Sequence, residues 1–86
     1  PVYYAEANVQ ELKIDMARGE GEYLTTFAEA LGCPDNLKGQ FNAEAQKNFS
    51  TIFPNSKTTP LEMLNSVKTV INKNNILQGQ CTYAVL

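Results

Sequence analysis

Apolar residues recur at helical spacing in four stretches of the chain, and the polar residues between them mark where each stretch turns. In the first, Val9, Leu12 and Met16 share one face with Ala17 beside it, while Glu11, Lys13 and Arg18 point outward. Ile14 falls off that stripe and is expected to meet another element. Asn8 is the predicted N-cap, unless the helix begins nearer Tyr4. Gly19 is a natural left-handed stop, and Glu20 and Glu22 suit the first turn of a following helix. That second helix buries Leu24, Phe27, Ala28 and Leu31, carries Tyr23 at its edge and closes at Gly32. A competing stripe, Val9, Leu12, Met16, Gly19 and Tyr23, fits one unbroken helix. Two interior glycines would cost that helix about 2 kcal/mol against alanine, so a corner at Gly19-Glu20-Gly21 is favoured.

The turn Cys33-Pro34-Asp35-Asn36 starts a third helix, on which Leu37, Phe41, Ala45, Phe49 and Ile52 run at helical spacing before Phe53 and Pro54. Thr59-Pro60-Leu61-Glu62 is the sharpest local signal: a threonine cap, a proline at the first helical position and a glutamate completing a capping box. The fourth helix then presents Leu61, Leu64, Val67, Val70 and Ile71 and frays at Asn72-Lys73-Asn74-Asn75. Near the end, Cys81, Tyr83 and Val85 alternate with smaller residues, a pattern that allows a short strand against the β-prone Val2-Tyr3-Tyr4. The expected fold is therefore one all-α, four-helix domain over residues 1–86. It has a glycine corner between helices 1 and 2 and room for a small terminal β-ribbon.

Composition agrees with a folded domain: 43% of the residues are apolar and 19% charged. The net charge is −2, but it is unevenly placed. Residues 1–35 hold seven acidic side chains against Lys13 and Arg18, a local −5; residues 36–86 hold five lysines against Glu44 and Glu62, a local +3. The plain reading is that the halves complement each other within one monomer. The sharper one is a head-to-tail or partner contact through an acidic face. With no basic cluster, nucleic acid is not an expected partner. No apolar run reaches transmembrane length. The chain opens at Pro1, which suggests a processed or cut piece whose signal sequence lies elsewhere.

Absent histidine removes Ser-His and Cys-His nucleophile pairs and HExxH zinc sites. Gly19-Glu20-Gly21 follows no strand and lacks the third glycine of a dinucleotide fingerprint. Ser66 follows Asn65, not the acidic residue of a carrier-protein serine, and Asn48-Phe49-Ser50 is a sequon inside a predicted helix. No cofactor or metal is expected. One constellation remains: Asp15, Glu20 and Glu22 with Arg18 among them. The plain expectation is an Asp15–Arg18 pair with Glu20 and Glu22 favouring a helix N-terminus; acid–base work would need one carboxyl in a dry pocket. Tyr3, Tyr4 and Tyr83 are the aromatics expected to be exposed.

The run Asp15-Met16-Ala17-Arg18-Gly19-Glu20-Gly21-Glu22-Tyr23-Leu24, with Ala28, Leu31-Gly32 and then Gln46-Lys47-Asn48-Phe49 and Ile52-Phe53, carries a likeness. It resembles the C-terminal half of a proteobacterial cell-envelope family of unknown function (domain-of-unknown-function family 3015). The likeness spans about residues 4 to 75. It implies an exported protein whose members usually carry a signal peptide and a glycine- and cysteine-containing N-terminal half, so this chain looks like a fragment or a shortened relative. It supplies no catalytic residues.

In an exported small domain, Cys33 and Cys81 are most simply one disulfide, and free thiols in a cytosolic chain are the rival. No CxxC spacing supports a redox or metal pair. The expected function is a non-enzymatic, periplasmic or secreted structural or protein-interaction module. Its contact surface would be Asp15, Arg18, Glu20 and Glu22 with Tyr3 and Tyr4, facing an unidentified protein. The alternative is a small apolar-ligand carrier with a pocket between helices 2, 3 and 4.

Overall fold

The computed structural model describes residues 1–81 and is helical among them. In chain order the elements are α1 (Val2–Ala7), α2 (Val9–Arg18), α3 (Glu22–Ala30), a 3-10 turn (Asp35–Leu37), α4 (Lys38–Lys47), α5 (Phe49–Ile52) and α6 (Pro60–Lys73). The four expected helices are present, and two of them are broken in the same way. Asn8 leaves helical geometry (φ −131°, ψ 26°), and both its backbone N–H and its Nδ2 donate to the Tyr4 carbonyl. Asn48 (φ −104°, ψ 20°) does likewise with the Glu44 carbonyl, separating α4 from α5. An asparagine side chain that bonds its own preceding turn competes with the helix, which is the physical origin of both breaks. Asn8 thus closes α1, and its side chain makes no cap bond to α2.

Between α2 and α3 the chain does turn at Gly19–Gly21, so the unbroken-rod alternative is excluded. Val2-Tyr3-Tyr4 is helical, not a strand, and cannot form its half of a ribbon. Burial decides against the β propensity there: Ala5 is enclosed where α1 lies on α6, and the Tyr4 ring stacks on Phe27. Tyr83 and Val85 lie outside the described residues.

Leu12 and Met16 from α2, Leu24 and Phe27 from α3, Phe41 from α4, Ile52, and Met63, Leu64, Val67 and Ile71 from α6 make one core. Two expectations shift at its edge. Leu61, in the first turn of α6, is exposed, and Met63 takes the inward place; Ile14 is not buried against another element but stays 60% exposed. The capping box is complete: Glu62 N–H donates to Thr59 Oγ1 (3.1 Å), and Thr59 N–H donates to Glu62 Oε1 (2.9 Å).

Cys33 and Cys81 are joined in a disulfide, both buried, and no free cysteine remains. Asn74 brings the tail round to it. Its Oδ1 accepts from Ile76 and Leu77 N–H, its Nδ2 donates to Glu44 Oε1 (2.8 Å), and Leu77 drops into the core.

Candidate interaction surface at the glycine elbow

The elbow is built around the two ends of Asp15. At the end of α2, Gly19 adopts φ 74°, which lets its N–H reach the Met16 carbonyl and the Glu20 N–H reach the Asp15 carbonyl (3.2 Å each). This paired closure satisfies carbonyls that a helix end leaves open. Two residues on, Gly21 stands at the N-terminus of α3 with φ 137° and ψ 159°, a conformation essentially restricted to glycine. A glycine has no side chain to cap a helix, and the cap comes instead from across the corner. The Asp15 carboxylate, the one buried charged side chain among the described residues, accepts from the Leu24 N–H through Oδ2 (3.2 Å). A negative group at that end is also favoured by the helix dipole. A Cβ on Gly21 would overlap this carboxylate. The spacing Asp15, Gly19, Gly21, Leu24 is therefore a joint: one residue closes α2 with its backbone and opens α3 with its side chain.

That use of Asp15 corrects the expected Asp15–Arg18 pair. Arg18 reaches Glu20 instead, at 3.5 Å, with both side chains mostly in solvent, a contact worth at most about 1 kcal/mol. Glu22 opens α3 and is exposed, as its dipole preference requires, whereas Glu20 belongs to neither helix. The two tyrosines part company. Tyr3 is 85% exposed. Tyr4 is half-buried, its ring 6.0 Å from that of Phe27 and its hydroxyl donating to the Tyr23 carbonyl (3.0 Å). It ties α1 to α3 and contributes little free surface. Gln46 is a residue that sequence reasoning missed: its Nε2 donates to the Ala17 carbonyl (3.3 Å), propping α4 against the elbow. No local spacing announces that contact.

Burial pushes the Tyr4 phenol above its ordinary 10.0, against the lowering effect of a hydrogen bond with Thr26 and with smaller upward influences from Tyr23, Asp15 and Glu22. A raised folded-state value contributes stability that is full below the unfolded value and is lost as pH climbs through the folded one. Tyr4→Phe is therefore expected to cost about 1 kcal/mol near neutral pH from the lost hydrogen bond. The gap to the wild type should narrow above pH 10.0, which denaturant unfolding at neutral and alkaline pH will read.

Opposite charges from the two halves meet mainly at Lys38, whose Nζ lies 2.8 Å from Glu29 and 2.6 Å from Asp35. The remaining ion pair among the described residues, Arg18–Glu20, lies within the acidic half. An open groove of about 390 Å³ runs between α4–α5 and α6, lined by Glu44, Lys47, Thr51, Ser66 and Lys73 among others. Its lining residues other than Val70 are polar or charged and it opens to solvent, unlike the enclosed apolar pocket a carrier between the second, third and fourth expected helices would use. No described helix is long and apolar enough to cross a membrane.

Residues 1–81 match the model of a family described as protein of unknown function (DUF3015). The chain belongs to that family. The match takes in Cys81 and the tail leading to it, beyond the residues that carry the resemblance. No curated protein and no solved structure matches the chain. Within the DUF3015 domain, the run from Asp15 to Leu24 coincides with the joint just described.

Proposed function

We propose that this DUF3015 domain works in an exported, oxidising compartment of a bacterial envelope. There it is a non-enzymatic module that holds another protein through its acidic elbow. The observation that carries the address is the Cys33–Cys81 disulfide, because such bonds persist where thiols are not kept reduced. Non-enzymatic action is supported by the fate of each carboxylate. Asp15 is used as a helix cap, Glu20 faces Arg18 in solvent, and Glu22 is exposed, so none is set in a dry pocket opposite a second carboxyl. Exposed charge of this kind serves recognition and encounter rate.

Alkylation of intact cells followed by mass measurement tests the address: both cysteines should resist alkylation until reductant is added. Two alkylated thiols without reductant would remove the exported assignment. Capture from an envelope extract tests the surface, with Glu20→Lys/Glu22→Lys expected to lose what the wild type retains. Unchanged capture would clear the elbow of that role.

A further inference from the structure

We infer that the elbow's partner is a second copy of this chain, docked in the groove between α4–α5 and α6. The inference rests on the elbow being a contact surface, and names what it touches. With Asp15 buried as the α3 cap, the elbow exposes Glu20 and Glu22 against Arg18, and the groove carries Lys47 and Lys73 against Glu44. Glu44 is committed to Asn74, and neither groove lysine has a carboxylate within ion-pair reach among the described residues. Among the described residues Lys38 is the cation that bridges the two halves within the monomer, so Glu20 and Glu22 on the elbow and Lys47 and Lys73 in the groove have no ion partner from the opposite half.

Those surfaces adjoin across the last turn of α4. Gln46 there reaches the end of α2 at the elbow, and the next residue, Lys47, lines the groove. Adjacent patches of opposite sign suit a two-fold pair, in which the elbow of each copy meets the groove of the other and every contact is made twice. Charge on exposed rims sets such an association and makes it sensitive to salt.

Sedimentation velocity over a concentration series tests this. The wild type should self-associate at about 0.01 M salt and dissociate toward about 1 M, where the screening length falls from about 30 Å to about 3 Å. Glu20→Lys/Glu22→Lys and Lys47→Glu/Lys73→Glu should each stay monomeric alone, and mixing them should restore a dimer. All four side chains are exposed, and circular dichroism is the check that each variant is folded. A wild type that is monomeric throughout, or an association indifferent to salt or to either reversal, would overturn the inference. If the wild type is monomeric while Glu20→Lys/Glu22→Lys still abolishes capture from the extract, the elbow binds a different protein. The proposed function then stands without this partner.

Discussion

Replacing Gly21 by alanine is expected to cost about 3 kcal/mol, far more than alanine at the other elbow glycine or in a helix. About 2 kcal/mol of this comes from forcing an L-residue into a backbone conformation at φ 137°, ψ 159°. About 1 kcal/mol more follows because the new methyl displaces the Asp15 carboxylate and uncaps α3. In a domain of this size that corresponds to a fall in Tm of about 15 °C. Gly19→Ala should cost only about 1 kcal/mol, since φ 74° is the milder left-handed region and its obstacle is the exposed end of Gln46, which can swing away at the loss of its solvent-exposed bond to the Ala17 carbonyl. Gly39→Ala lies within α4 with nothing near the added carbon and should gain about 0.5 kcal/mol. Thermal unfolding of the three variants checks the order. A Gly21 variant no worse than the Gly19 variant would show that the carboxylate is not held where the structure places it.

Opening the disulfide should be the larger loss. The bridge closes a loop 48 residues long, and constraining that loop in the unfolded chain is worth about 4 kcal/mol. A domain of this length has a total stability on the order of 4–13 kcal/mol, so losing the bridge removes about a third of it or more. The consequence follows from what lies inside the loop: α4, α5 and α6 are all held between Cys33 and Cys81. Denaturant unfolding with and without reductant, and of Cys33→Ser/Cys81→Ser, should show a midpoint far below that of the oxidised protein. Equal midpoints would mean that the helices hold together without the staple.

The parts of this molecule that were legible in its sequence are those whose cause is local. The Thr59–Glu62 box needs four consecutive residues, and Gly19 as a helix stop needs only its own φ. The core faces of α2, α3 and α6 follow from helical periodicity, apart from Leu61, which the first turn of α6 turns outward. What was not legible depends on distant groups. Asp15 and Arg18 stand three apart, a spacing that suggests an ion pair, and only the approach of α3 gives Asp15 a better partner in the Leu24 amide. Tyr4 reads as an interface aromatic until Phe27 and the Tyr23 carbonyl come beneath it. Asn8 and Asn48 break their helices by a small local preference that periodicity cannot weigh. The acidic run lies at the corner, where one carboxylate, Asp15, caps α3 and is withdrawn from solvent while Glu20 and Glu22 stay exposed.

Asp15 caps α3 across the elbow, and amide hydrogen exchange at Leu24 tests this directly. That N–H sits in the first turn of α3, where no helical carbonyl precedes it, and its acceptor is Asp15 Oδ2. In the wild type its exchange should be slowed into the range of the buried core amides, and in Asp15→Ala it should accelerate selectively while Leu12 and Val67 keep their protection. If the Leu24 amide exchanges equally in the two proteins, Asp15 is not the joint.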